Sequence, residues 1–231
     1  MMGVHPPDPL AIRGMFDEIS PRYDLINHLL SFGRDISWRR RAVQALGVQD
    51  GYRVLDLACG TGDMLKAIKA AAPNCTAFGG DFSINMLRAA AKKGTPAYLA
   101  ALDACALPFV QESFDLITFS FGFRNIPDKA RALQETFRVL KPGGALGVLE
   151  FSKPKGKLFS AVYWFYFRYI FPVIGALISA NMGAYAYLPS SVAAFPDDKE
   201  YTAMVEAAGF SVESFTAYDL GVCSLLAAKK R

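Results

Sequence analysis

The 231-residue sequence has little with which to build a metal site or a disulfide framework: two histidines and four cysteines in all. Cys59, Cys75, Cys105 and Cys223 stand far apart with no C-x-x-C pair, which fits neither a zinc site nor stapled loops. Reduced thiols in a cytoplasmic protein with no metal are expected instead. Charge of one sign is also scarce: 25 Lys and Arg face 21 Asp and Glu, a net charge of +4. Without a dense basic block, nucleic acid is not an expected partner. The opening residues lack a charged start followed by an apolar run, so no signal peptide is expected. Repeats and low-complexity tracts are absent too. What is present is a hydrophobic share of 52% with 20% charged residues, enough for one α/β domain with a full core and a modest insertion.

One apolar run is long. Residues 158–178 read LFSAVYWFYFRYIFPVIGALI, about the length of a membrane-spanning helix. Arg168 near its middle and Pro172 argue against a span, and its Trp and Tyr residues favour an interface over a bilayer centre. A segment lying on a membrane or lining a greasy pocket is expected, with an ordinary core helix or a dimer surface as the plain alternative.

The first fifty residues show helical spacing, with Trp38, Ala42, Val43 and Leu46 on one face before Gly47, and with Pro21 suited to a first helical position. From Tyr52 the pattern alternates. Strands are predicted at 53–58, 76–82, 97–102, 114–121 and 145–151, and helices at 63–72, 84–93 and 128–140, the last closed by Lys141-Pro142-Gly143-Gly144. After Ser152 the alternation lapses for about forty residues. It resumes with a helix at 198–208 and strands at 210–216 and 223–228. Such alternation implies a mostly parallel sheet covered on both faces.

The string Val54-Leu55-Asp56-Leu57-Ala58-Cys59-Gly60-Thr61-Gly62-Asp63 ends a strand and opens a helix. Gly60 and Gly62 allow the backbone to turn close beside a ligand at the carboxyl edge of the sheet. A dinucleotide fingerprint would want a third Gly where this chain has Leu65. Nearby acids Asp56 and Asp63 suit a cationic ligand without phosphate, which points to S-adenosylmethionine. Asp81, at the end of the second strand, can accept both hydroxyls of a ribose; its alternative is to cap the next helix, a task Ser83 can also do. Asp103, ending the third strand, can accept from an adenine amine, or be a plain loop acid. Arg124 and Asn125 interrupt an apolar stretch and need partners; helix capping by Asn125 is the other reading.

Beyond these generic features, Tyr23-Asp24, Asn27, Ser31-Phe32-Gly33 and Trp38, then residues 120–125 (SFGFRN), 149–154 (LEFSKP) and Tyr185-Ala186-Tyr187-Leu188 with Ser191 and Phe195-Pro196, run through nearly the whole chain. In them the sequence resembles the C-methyltransferases of menaquinone and ubiquinone biosynthesis, which methylate a ring carbon of a prenylated quinol. It departs from that pattern at Asp35-Ile36, where the family usually has a His-Arg-like pair, and at its C-terminal end.

The resemblance implies a Rossmann-like class I methyltransferase: an α/β fold with a mostly parallel seven-stranded sheet, an antiparallel C-terminal strand and a helical N-terminal cover. A single domain is expected, with the cover at 1–50, the cofactor core at 51–152, an apolar substrate- or membrane-facing insertion at 153–196 and a C-terminal unit at 197–231. Gly60, Thr61, Gly62, Asp56, Asp81, Asp103, Ala104 and Ser120 are then the candidate cofactor contacts, and Tyr23, Arg124 and Asn125 the candidate catalytic residues. The expected acceptor is demethylmenaquinol; a ubiquinone or phylloquinone precursor, or a non-catalytic role in binding the cofactor, are the alternatives. Arg124 cannot readily serve as a base and would stabilise a phenolate, so Arg124→Ala should keep cofactor binding and lose turnover. His28 is the candidate base, or simply a surface His. Peripheral attachment to the inner face of a membrane and a homodimer complete the expectations.

Overall fold

The apolar runs that end in Gly or Asp become the strands of one sheet. In the computed structural model, which describes residues 9–171, 173 and 182–231 (backbone alone at 9 and 182–186), the order is β3-β2-β1-β4-β5-β7-β6. The strands are β1 (Arg53–Leu57), β2 (Thr76–Asp81), β3 (Tyr98–Ala101), β4 (Phe114–Ser120), β5 (Leu140–Phe151), β6 (Phe210–Tyr218) and β7 (Cys223–Lys230). β1 to β5 pair in parallel, while β7 slots between β5 and β6 antiparallel to both. Residues 1–8 of the expected N-terminal cover, residues 172 and 174–178 of the long apolar run, and residues 179–181 after it lie outside the described residues.

Side-chain alternation along the strands feeds two cores, one on each face. Leu55, Leu57, Ile117 and Phe119 pack with α6 (Lys129–Val139) and the helix Asp198–Ala207, here α9. On the other face Val54 and Leu116 meet Trp38, Ala42 and Val43 of α3 (Arg34–Leu46) and Leu65 and Ile68 of α4 (Asp63–Ala71). Leu65, which stands where a dinucleotide site has its third Gly, is fully buried. The close helix–strand approach comes from the strand instead: a Cβ on Gly79 would lie 2.6 Å from Leu65 Cδ1.

The predicted boundaries hold to within one or two residues at most ends, but β5 begins at Leu140, well before the expected Ala145. Leu140 pairs with Phe114 and the register resumes at Leu116–Ala145, so Lys141-Pro142-Gly143-Gly144 both ends α6 and forms an irregular stretch inside the strand.

A third apolar cluster roofs the carboxyl edge. Ile19 of α1 (Pro9–Ile19) and Ile26 and Leu30 of α2 (Tyr23–Leu30) pack against Phe167, Phe171, Leu188 and Val192. Those four belong to the chain leaving α7 (Lys157–Phe165), which continues as a π-helical turn at Tyr166–Ile170, and to α8 (Met182–Ala194). The N-terminal cover and the apolar insertion are therefore one lid over the edge where the strand order reverses between β1 and β4, the place where open α/β sheets bind ligands.

Candidate active site

Between this lid and the sheet lie two cavities that share Phe16, Tyr23 and Phe121 in their walls. The first, about 340 Å³, is lined among others by Ala58, Gly60, Asp81, Asp103, Ala104 and Ser120. Its floor is made by two backbone turns at neighbouring strand ends. Ala58, after β1, and Phe121, after β4, both have positive φ (53° and 60°), a conformation residues with a Cβ rarely adopt. Only Gly fits at 122, where a Cβ would sit 2.5 Å from that of Ala58.

Asp81 is the best placed of the candidate cofactor residues. Its Oδ2 accepts from the Gly60 backbone N–H and its Oδ1 from that of Ser83, both at 2.8 Å, which aims the carboxylate into the cavity. Burial pushes its carboxyl above the ordinary value, against these two hydrogen bonds. Ser83 performs the capping, accepting from Met86 N–H at 3.1 Å, so Asp81 is free for a ligand. Asp103 accepts from Cys105 N–H at 2.8 Å at the far wall. The Ser120 hydroxyl is sealed from solvent and has no hydrogen-bond partner among the described residues. Acids without a facing phosphate cradle, together with this unpaired hydroxyl, fit a cationic nucleoside such as S-adenosylmethionine.

Three expected contacts lie elsewhere. Asp56 is fully buried beneath the floor and does not line the cavity; it accepts from Thr118 Oγ1 at 2.6 Å, and burial pushes its carboxyl up to about 7. Thr61 donates to Asp24 of α2, and Lys93 pairs with both Asp24 and Asp63, so this side of the Gly-rich turn latches the lid rather than facing the cavity. Gly62 is required sterically, since a Cβ there would meet Thr95 at 2.6 Å, but it does not line the cavity either. A second latch joins α1 to α5 (Ile84–Lys92), with Ser83 Oγ donating to Asp17 at 2.5 Å.

The second cavity, about 360 Å³, is walled by aromatic side chains including Trp38, Phe151, Tyr163, Tyr166, Phe167 and Phe171. Tyr23 borders both cavities; burial raises its hydroxyl above the ordinary value despite Arg124 and Arg39 nearby, so it stays protonated. Arg124 lines the aromatic cavity and Asn125 the cofactor cavity. Asn125 does not cap α6, a task done by Asp128, which accepts from Arg131 N–H at 2.9 Å; Asn125 Oδ1 instead accepts from Tyr187 at 3.1 Å.

Glu150 is the residue of the candidate site that pattern reading left without a role. Only 1% exposed, it accepts from Arg124 Nη1 at 2.7 Å through Oε1 and from the Arg124 backbone N–H at 3.2 Å through Oε2. Arg124 also donates to Phe121 O and to Ser191 Oγ at 3.3 Å. An acid in the apolar run of β5 was the available signal, because a buried charge requires a partner. His28 lines neither cavity: its Nδ1 lies 2.9 Å from Asp35 Oδ2 and its Nε2 3.6 Å from Asp63. Against the burial that would raise it, Arg39, Ser31 and His28 hold the Asp35 carboxyl below its ordinary value. The His28, Asp35 and Asp63 trio has metal-ligand chemistry, but Arg39 and Lys93 already neutralise its two acids.

Residues 7–230 match the ubiE/COQ5 methyltransferase family. A demethylmenaquinone methyltransferase of Thermus thermophilus is 50% identical over 202 residues, covering 86% of this chain and 92% of that one. A ubiquinone/menaquinone biosynthesis C-methyltransferase of Geobacter sulfurreducens is 42% identical over 226 residues, covering 95% and 88%. Among solved structures, an S-adenosylmethionine-dependent methyltransferase of Thermotoga maritima, described as a possible histamine N-methyltransferase, superposes with a TM-score of 0.68 at 20% identity, over 94% of this chain and 99% of that one. That likeness speaks for the fold alone.

Proposed function

The chain belongs to the ubiE/COQ5 methyltransferase family, and from that premise we propose that it methylates a ring carbon of demethylmenaquinol. It is an S-adenosylmethionine-dependent enzyme of quinone biosynthesis. The observation that carries the acceptor reading is the pairing of cavities. One has acids at nucleoside positions and the other an aromatic lining, and they meet at Tyr23 and Phe121.

S-adenosylmethionine, when bound, supplies an electrophilic methyl group on a sulfonium. Asp81, Asp103, Ala104, Gly60 and Ser120 are the residues that would hold it. This chain's own part is to bring a flat, apolar ring edge-on to that methyl and keep water out, which raises effective concentration and strengthens every polar contact. Loss of a proton from a ring hydroxyl makes the adjacent carbon nucleophilic. Arg124, held rigid by Glu150, offers a fixed positive edge to the oxygen that gains charge, and Tyr23 donates a hydrogen bond at the junction. Labelled S-adenosylmethionine offered with demethylmenaquinol and a prenylated benzoquinol together should put most label in the naphthoquinol product. Label mainly in the benzoquinol product, or in neither lipid, would overturn this reading.

The acceptor's prenyl tail also gives the outer face of α7 a purpose. Leu158, Val162, Phe165, Tyr169 and Val173 fall on one helical stripe and are exposed, Leu158 to 82%, and Phe32 at the tip of the preceding lid loop is 80% exposed. Lys157 and Arg168 flank the stripe. No helix among the described residues is long and apolar enough to cross a membrane. This face is proposed to rest on an anionic bilayer beside the mouth of the aromatic cavity. The protein should float with vesicles containing phosphatidylglycerol, and Val162→Ser/Phe165→Ser/Tyr169→Ser should stay in the soluble fraction while still binding S-adenosylmethionine. Equal flotation of both proteins would rule the stripe out.

A further inference from the structure

The polar lining of the aromatic cavity has an order. Tyr23, Asn27, Ser31, Asp35 and Arg39 recur at every fourth position along α2 and α3, and all five border the cavity. The lower three satisfy one another: Ser31 Oγ donates to Asp35 Oδ1 at 2.8 Å, and Arg39 donates to Asp35 Oδ2 at 2.5 Å. The upper two do not. Among the described residues, neither the Tyr23 hydroxyl nor the Asn27 amide has a hydrogen-bond partner. Of the other hydroxyls of the cavity, Tyr166 donates to Leu30 O and Tyr187 to Asn125, both at 3.1 Å, while the buried Tyr163 hydroxyl also has no partner among the described residues. The half-buried Asn27 amide borders this apolar cavity with its hydrogen-bonding capacity unused by the protein, so a ligand there can take it up.

We propose that Asn27 reads the second ring oxygen of the acceptor, and so selects a ring carrying two oxygens over a ring carrying one. The proposal rests on the acceptor being a quinol. Tyr23 borders both cavities and so stands beside the oxygen next to the carbon being methylated. Asn27 borders only the aromatic cavity, one helical turn further from the cofactor. One turn rises by roughly 5.4 Å, close to the separation of oxygens on opposite sides of a six-membered ring. An amide both donates and accepts, so it can meet that oxygen as a hydroxyl or as a carbonyl.

The test compares demethylmenaquinol with an analogue in which the far oxygen is replaced by hydrogen, a prenylated naphthol, on wild type and Asn27→Leu. Losing one neutral hydrogen bond should raise KM for demethylmenaquinol about 10-fold in Asn27→Leu. In the same variant kcat should stay within about twofold, and KM for the naphthol should not move. Affinity for S-adenosylmethionine, measured calorimetrically, reports folding. Should Asn27→Leu fail that control, Asn27→Ser, too short to reach the oxygen, gives the same comparison. An unchanged KM for demethylmenaquinol, or equal increases for both compounds, overturns the assignment. Wild type that binds S-adenosylmethionine yet methylates neither compound contradicts the acceptor reading itself.

Discussion

Arg124→Ala should lower the melting temperature by roughly 10 °C as well as abolish turnover. The substitution strands Glu150, 1% exposed, without its cation. Removing one partner of a buried ion pair costs about 3–5 kcal/mol, and in a chain of this size each kcal/mol is worth about 2–4 °C. The sequence alone suggested a milder outcome, with cofactor binding intact and only chemistry lost, because it showed an Arg but not what held it. In the structure that guanidinium anchors β5 to the end of β4 and lines the aromatic cavity, where the proposed function gives it a second task, a fixed charge toward the acceptor. They are separable. Arg124→Met/Glu150→Met replaces the pair by apolar groups and should recover most of the lost melting temperature while remaining inactive. Calorimetric scans of the single and double variants check this. A single variant that melts with wild type would show that the pair is not structural, and an active double variant would remove Arg124 from the reaction.

Asp81→Ala should weaken S-adenosylmethionine binding by on the order of 100-fold or more. Its two oxygens are already oriented by Gly60 and Ser83 N–H, so a ribose diol meets a prepaid geometry. Hydrogen bonds to a charged group contribute about 1.5–3 kcal/mol each, and two would be lost. Asp81→Asn keeps one acceptor and should fall between. Titration calorimetry decides; affinity within threefold of wild type in Asp81→Ala would mean that the ribose binds elsewhere.

Much of this site could be read from the sequence because its signals are local. A strand that ends in Asp or Gly at the carboxyl edge announces its own position, and Gly60, Asp81 and Asp103, which line the cavity, were read that way; Ser120, which also lines it, came only with the family resemblance. Asp56 misled for the same reason. It is adjacent in sequence to the Gly-rich turn, but the strand's alternation turns it into the sheet, where it meets Thr118 of β4 rather than a ligand. The features that sequence left hidden are long-range. Glu150 lies 26 positions from Arg124, Asp17 and Asp24 latch the lid to residues of the core, and Phe167, Phe171, Leu188 and Val192 of the insertion join the N-terminal cover in one apolar cluster. Local periodicity predicted the helices of the core without saying which would meet, and predicted none at Met182–Ala194. Asn27 fell between these cases: its place in the chain's N-terminal signature was visible, but only the empty hydrogen-bond capacity of its amide points to a ligand.

Between them, the two cavities are proposed to deliver a methyl group to a ring carbon. This is tested most directly by incubating the protein with S-adenosylmethionine carrying a ¹³C methyl and with demethylmenaquinol, and recording the carbon spectrum of the lipid product. One new resonance of a methyl group on an aromatic carbon is expected, formed in equal amount to the spent cofactor. A methoxyl resonance, or no label in the lipid while the protein still binds the cofactor, would contradict it.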